Sequence, residues 1–411
     1  MKEMLKFVFV GVDLHKRHHT AVIMNFFNEK LGEVKFVNTP ATFPELLAEV
    51  KKHLKKGMTP VYGLEDTGGY GRSLAVFLKE KRLVVKEVNP AMASEHRKKR
   101  ASVEKNDSWD AECVARVLKD EYNRLPDANP IDIYWAIGQL VTTRQGLSKD
   151  YMSHVRRLHQ HLGYAYPSYM KFFSEVDGKT ALAFWETYPA PHHLVNVTVG
   201  ELALLLRKHS NNGLSTKKAE SILTLIAKDG IKPLQFQSSH DTNMRCTVAT
   251  IQFHQHQIQS LDLELQELMK ALKIKLESMT GISHVTAAYL IAEIGNVHRF
   301  VSADKLAKYA GIAPKLVGSG DNHRHRKSKQ GDRDLHELFE QLAVRQIAVT
   351  RTKKEPRNPY FYDYYQQRLA AGKTKKQAII CIMRKLVNII YCMMKDGTEY
   401  VIPALPEKVA G

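Results

Sequence analysis

The chain has 411 residues, enough for two or three domains with separate cores, and its 44% hydrophobic content excludes an intrinsically disordered protein. Lysine and arginine total 61 against 43 acidic residues, so at a formal charge of +18 the expected partners are polyanions, nucleic acid ahead of acidic lipid. No apolar run approaches the roughly 18 residues of a membrane span, Met1-Lys2-Glu3-Met4 does not open a signal peptide, and Cys113, Cys246, Cys381 and Cys392 form neither a disulfide framework nor a metal-ligand spacing, so a reducing, cytoplasmic location is expected.

From Phe7 to about Leu125 the pattern reads strand, strand, strand, helix, strand, helix, strand, helix. The first three strands meander through Gly11, Asn25 to Asn28 and Gly32, and Thr42-Phe43-Pro44-Glu45 opens the first helix as a capping box. Such an order predicts a mixed sheet flanked by helices, the α/β layering of an RNase-H-like domain.

Four acids fall at telling points of that pattern. Asp13 ends the run Phe7-Val8-Phe9-Val10-Gly11-Val12-Asp13, and Glu65 ends Pro60-Val61-Tyr62-Gly63-Leu64 before the glycine-rich turn Asp66-Thr67-Gly68-Gly69-Tyr70. Asp107 and Asp110, three apart, begin an apolar-periodic stretch through Ala111, Val114, Ala115 and Leu118, so one helical face presents both carboxylates. Mg2+ takes hard oxygen ligands, and two such ions bridged by three or four carboxylates can hold a scissile phosphate. Each acid taken singly is as well explained as a turn or helix-start residue; the set in the order strand, strand, helix points to a metal site. His15, His18, His19 and the His323-Arg324-His325 group lie among arginines and lysines that disfavour a bound cation, so zinc is not expected.

Beyond Pro126 and Pro130 strand signals fade, and residues 132–278 read as helical, with loops at Pro189 to His193 and Asn211 to Gly213. Alternating steps of four and three from Met244 give Val248, Ile251, Gln255, Ile258, Asp262, Leu265, Met269, Leu272, Leu276 and Met279. Nine of these eleven seam positions are apolar, which predicts a long coiled coil used for self-association; a helix packed within one chain has the same periodicity.

Thr280-Gly281-Ile282-Ser283-His284-Val285-Thr286 has the pattern of a hairpin between two short helices that offers backbone N–H groups to a DNA phosphate. Farther on, Gly318-Ser319-Gly320 precedes the basic run His323 to Arg333. A serine between glycines is commonly a flexible turn, yet adjoining arginines bring phosphate close to its hydroxyl. A helix from Asp332 to Val349 follows, then a tyrosine-rich segment, Tyr360 to Tyr365, and a basic helical end, whose aromatics either stack bases or pack helices.

Together these residues resemble the DEDD transposases of the insertion-sequence one-ten group, relatives of the pilin-gene invertase Piv. The N-terminal part is similar through Gly11-Val12-Asp13, Glu65 to Tyr70 and Lys105-Asn106-Asp107-Ser108-Trp109-Asp110-Ala111; the C-terminal part through Gly281-Ile282, Ala310-Gly311-Ile312-Ala313-Pro314, Ser319-Gly320 and Ser328-Lys329-Gln330-Gly331-Asp332-Arg333. The resemblance implies a RuvC-like domain over 1–125, a helical linker and coiled-coil oligomerisation region over 126–279, and an α-helical transposase domain over 280–411. It also implies that Asp13, Glu65, Asp107 and Asp110 bind Mg2+, two ions per composite site, and that Ser319 attacks DNA to form a phosphoserine link. Ser328 is the rival nucleophile. Donor and target DNA, a structured bridge RNA encoded beside the gene, and a dimer assembling into a tetramer are the implied partners, at the nucleoid of a bacterium or archaeon. Arg97, Lys98, Lys99, Arg100, Lys105, Arg324, Arg326, Lys327, Lys329 and Arg333 are the expected nucleic-acid contacts. Two departures from the family pattern stand out: Ser283 replaces a glycine, and the helical insert between Asp110 and Ser319 is long. The competing readings are a nuclease or junction resolvase that uses water, an invertase of the Piv type, and a non-catalytic nucleic-acid-binding protein.

Overall fold

The computed structural model describes residues 4–65, 69–97, 106–128, 130, 132–231, 235–313, 315–319, 322–326, 331–350 and 352–403. The chain divides into two compact units, Met1–Trp135 with Asn296–Val301, and Ala136–Gly295 with Ser302–Gly411.

The first unit is built on a five-stranded mixed sheet. Its elements run β1 (Phe7–Leu14), β2 (His18–Met24), β3 (Lys30–Val37), α1 (Phe43–Lys52), β4 (Thr59–Glu65), α2 (Arg72–Glu80), β5 (Val84–Glu87), α3 (Pro90–Arg97) and α4 (Asp107–Glu121). The strand order is β3-β2-β1-β4-β5, with β1 antiparallel to β2 and parallel to β4. β1 is the central strand and is buried from Val8 to Leu14, which is why its sequence is a nearly continuous β-branched and aromatic run. Val8, Val10, Val12 and Leu14 join Phe43 and Leu46 of α1 and Leu74 and Leu78 of α2 in one apolar layer. Phe9 and Val61 face the other way, into a layer with Ala93 of α3 and Val114, Val117 and Leu118 of α4.

Three local expectations give way here. Gly11 lies inside β1, not at a turn: a Cβ there would stand 2.2 Å from the Ala111 carbonyl oxygen and 2.3 Å from the Ala115 nitrogen, so the glycine lets α4 press onto the strand. Gly32 lies within β3, and the bend between β2 and β3 is the Asn25–Glu29 turn, with Asn28 at φ 64°. The capping box at Thr42 does not form, because Thr42 is already helical in φ and ψ and its hydroxyl donates to the carbonyls of Val37 and Thr39. An additional helix, α3, follows β5, where the sequence pattern gave no separate signal.

The second unit is helical apart from one two-stranded ribbon. It holds most of α5 (Asp132–Ala165), then α6 (Lys179–Thr187), α7 (Val199–Ser210), α8 (Thr216–Asp229), α9 (Gln237–Leu272), α10 (His284–Ile294) and α11 (Ala303–Tyr309). The ribbon β6 (Lys315–Ser319) and β7 (Asn322–Arg326) comes next, followed by α12 (Arg333–Gln346), α13 (Pro359–Ala370) and α14 (Lys375–Asp396). Val155, Leu158 and Leu162 of α5 pack with Phe184 and Trp185 of α6, Leu206 of α7, Ile222 of α8, and Met244, Val248 and Ile251 of α9. Both polar positions of the α9 seam find partners inside the chain: Asp262 accepts from the Arg144 guanidinium, and Gln255 donates to the Tyr151 hydroxyl and the Asp177 carbonyl. With His154 stacked on His254 at 5.4 Å, these pairs run in opposite senses, so α5 and α9 are antiparallel neighbours. The helix stops at Leu272 with Lys273 in the left-handed region, leaving Leu276 on a separate 3-10 turn.

Ser283 caps α10, its hydroxyl accepting from the Thr286 N–H at 3.3 Å, while Gly281 takes φ 87°. The serine at the position expected to be glycine thus serves the helix start. α14 is long and apolar enough by length and composition to cross a membrane, contrary to the sequence expectation. In the fold, half of that stretch is buried, and at its middle Arg384 pairs with Asp304 of α11 while Lys385 donates to the Tyr360 hydroxyl.

Candidate active site

Asp13 and Glu65 are paired neighbours on the parallel strands β1 and β4, so their carboxylates emerge at the same end of the sheet. α4 delivers the other two acids. Asn106 caps it by accepting from the Ser108 N–H at 2.9 Å, and Asp107 and Asp110 then occupy its first turn, where the helix dipole favours negative charge. The close approach allowed by Gly11 brings that turn onto the end of β1.

Asp13 and Glu65 are each 8% exposed and Asp110 is 7% exposed, whereas Asp107 lies nearer the surface. Burial raises the Asp13 carboxyl above its ordinary range; His15 opposes the rise, and the charges of Asp110 and Asp107 add to it. Burial likewise raises Glu65 against the pull of Arg97, with Asp13 and Asp110 adding to the rise. Asp13 and Glu65 therefore lie in the field of the neighbouring acids, which opposes their ionisation.

Two cations, Arg97 and Lys35, and the imidazole of His15 lie against these acids. The Arg97 guanidinium bridges the cluster, with Nη2 on Glu65 and Nε 2.8 Å from Asp110 Oδ1. His15 Nε2 lies 2.9 Å from Asp13 Oδ2 and 3.7 Å from Asp107 Oδ1, and Lys35 Nζ lies 3.4 Å from Asp107 Oδ2. Ligand atoms of Asp13, His15 and Asp107 all fall within 4.8 Å of one another, a spacing one metal ion can span. The donor set fits a divalent cation: hard carboxylate oxygens, partly desolvated, with positive charge already drawn among them. His15, dismissed from sequence as one of a basic group, belongs to this cluster. Its signal was the two-residue spacing from Asp13, which places both on one side of an extended chain. Arg97, expected to contact nucleic acid, pairs with two of the acids; sequence carried no sign of that pairing.

Of the other expected contacts, Lys98, Lys99, Arg100, Lys105, Lys327 and Lys329, with the rival Ser328, lie outside the described residues. Arg333 is the first residue of α12. Ser319 is the last residue of β6 and pairs with Asn322 at the end of the ribbon, a strand position where a flexible turn was the plain expectation. Val317 pairs with Arg324 and Lys315 with Arg326, so by the two-residue period Ser319, Arg324 and Arg326 hold register positions on the same face.

Residues 10–167 match the family model for IS110 DEDD transposases, described as Transposase, and residues 274–366 match that for the Transposase IS116/IS110/IS902 family. All four acids lie in the first span and Ser319 in the second. The chain is 23% identical over 417 aligned residues to the Insertion element IS116 uncharacterized 44.8 kDa protein of Streptomyces clavuligerus, covering 97% of each chain. It is 24% identical to the mini-circle putative transposase for IS117 of Streptomyces coelicolor, covering 77% of this chain and 78% of that one. It is 34% identical over 164 residues to the Pilin gene-inverting protein of Moraxella bovis, covering 40% of this chain and 49% of that one. A DEDD family implies use of a divalent metal, in keeping with the acidic cluster. The chain belongs to the IS110/IS116 family of transposases.

Proposed function

We propose that this transposase cuts and exchanges DNA strands through a covalent serine intermediate, with Asp13, Glu65, Asp107 and Asp110 as the ligands of Mg2+. The observation that carries the proposal is the gathering of these four acids at the ends of β1 and β4 and the start of α4, with three buried. The strand order β3-β2-β1-β4-β5 supports an RNase-H-like, RuvC-like reading of that domain. When bound, Mg2+ supplies Lewis-acid polarisation of a phosphoryl oxygen.

The chain's own residues divide the remaining work. Ser319 is the nucleophile: as its Oγ–P bond forms, one P–O bond of the DNA backbone breaks, and the freed strand end leaves as a hydroxyl. Attack by another strand's hydroxyl on the phosphoserine then restores the serine and joins the new strand. Arg324 and Arg326, two and four positions along β7 from the Asn322 that pairs with Ser319, offset phosphate charge, and His15 orients the Asp13 carboxylate. Acids and serine belong to regions 1–125 and 280–411, with 126–279 as the assembly region, so the working site is composite and built by a homo-oligomer, a dimer pairing into a tetramer. Donor and target DNA are chosen through a structured bridge RNA, for which the charge of +18 leaves ample capacity. The protein acts in the cytoplasm.

Inversion of a DNA segment is the second reading, favoured by the similarity to the Pilin gene-inverting protein. The test is purification with any accompanying RNA, sequencing of that RNA, and incubation with DNA carrying its complements. A Mg2+-dependent protein–DNA adduct absent in Ser319→Ala and in Asp13→Asn is expected. Undiminished cutting by Ser319→Ala would favour a nuclease that uses water, and intact binding without any cutting would favour a non-catalytic protein.

A further inference from the structure

A second cluster of ligating side chains lies in the helical unit, with no part in the reaction above. Pro191–Leu194 forms a 3-10 turn, in which consecutive side chains normally point about 120° apart. His192 and His193 nevertheless bring their rings together, 3.8 Å between centroids at 40°, over one carboxylate from the first turns of α9. That carboxylate is Asp241, 6% exposed. Its Oδ1 is fixed by the Gln237 amide at 2.8 Å, which leaves Oδ2 to the imidazoles. His193 Nε2 lies 2.6 Å from Oδ2 and His192 Nε2 lies 3.7 Å from it, and the three ligand atoms fall within 4.8 Å of one another.

We propose that His192, His193 and Asp241 form a binding site for a first-row transition metal ion, best suited to Zn2+, that pins the Pro191–Leu194 turn to the start of α9. Two imidazole nitrogens and one carboxylate oxygen are a borderline-soft donor set, suited to Zn2+ and poorly suited to Mg2+. Zinc bonds of about 2.0–2.1 Å place tetrahedral neighbours roughly 3.3–3.4 Å apart. The present separations of 2.6 and 3.7 Å bracket that value, so rotation of the half-exposed rings is enough to admit the ion. A simple ion pair needs one histidine; the second ring on the same oxygen is what the metal reading explains. With three protein ligands, water completes the shell. The link spans 48 residues, across α7 and α8, so the ion would fasten a long excursion of the chain.

The test uses the full-length protein, stripped of metal, titrated with Zn2+ by calorimetry in excess Mg2+ so that the carboxylate cluster is occupied. One Zn2+ per chain is expected, with a raised melting temperature, and Co2+ in its place should give the visible bands of a tetrahedral site. His192→Ala should weaken binding by more than the roughly 10–100-fold lost when an outer partner is removed, while Asp13→Asn should bind as wild type. His192 is only half-buried, so its variant decides the matter even where Asp241→Asn does not fold. Zn2+ binding unchanged in His192→Ala, or abolished in Asp13→Asn instead, overturns the proposal.

Discussion

Replacing Arg97 with methionine tests the electrostatics of the acidic cluster directly. The substitution keeps an unbranched stem and removes the guanidinium that pairs with Glu65 and Asp110, whose side chains are only 8% and 10% exposed. Stripping one partner from a fully buried ion pair costs about 3–5 kcal/mol. Arg97 itself keeps 28% of its exposure, so a discounted loss of about 2–3 kcal/mol is expected. At about 3 °C per kcal/mol for a domain of this size, the melting temperature in EDTA falls by roughly 6–9 °C. Added Mg2+ supplies the missing positive charge, so the gap between variant and wild type should narrow, and the Mg2+ concentration at half effect should drop because the cation no longer competes with a guanidinium. Thermal unfolding with and without Mg2+, with hydrogen exchange of β1 and β4 amides to localise the change, measures both. An Arg97→Met protein as stable as wild type in EDTA, or equally destabilised with and without Mg2+, would refute the reasoning.

Gly11→Ala drives a Cβ to within 2.2 Å of the α4 backbone, so a loss of about 3 kcal/mol or more, with displaced Asp107 and Asp110 and weakened Mg2+ binding, should appear in melting and calorimetry. The pH dependence of the Mg2+ effect follows from burial: Asp13 and Glu65 are held above their ordinary values of 3.8 and 4.5. Their contribution to stability is complete below those values and is lost as pH rises through the raised folded-state values, whereas Mg2+ binds the ionised forms. Mg2+ should therefore add almost nothing to the melting temperature at about pH 4 and progressively more toward about pH 7; a pH-independent increment would count against the acids as ligands. In the helical unit, Arg144→Ala leaves the part-buried Asp262 uncompensated and Asp262→Asn leaves the part-buried Arg144 so, and each should cost about 1–3 kcal/mol in denaturant unfolding; no loss in either would refute a stabilising pair.

The sequence by itself determined most elements of the N-terminal unit and picked out the four acids that the fold brings together. A buried central strand must be continuously apolar, and acids at its end and at a helix start stand out against that background, so Asp13, Glu65, Asp107 and Asp110 were legible. The periodicity of α9 was legible too, but its partner was not: a heptad seam records only that something apolar covers it, and the pairing of Asp262 with Arg144, 118 residues earlier, is a long-range fact. The same holds for what balances the acids. Arg97 and Lys35 reach the cluster from α3 and β3, elements far apart in sequence, and their basic character fitted a nucleic-acid surface equally well. Gly11 looked like a turn because the bare residue does not say whether its missing side chain makes room for a bend or for a helix. Tertiary structure decided these points, since burial, charge pairing and close approach are properties of neighbours in space, while propensity and periodicity are properties of neighbours along the chain.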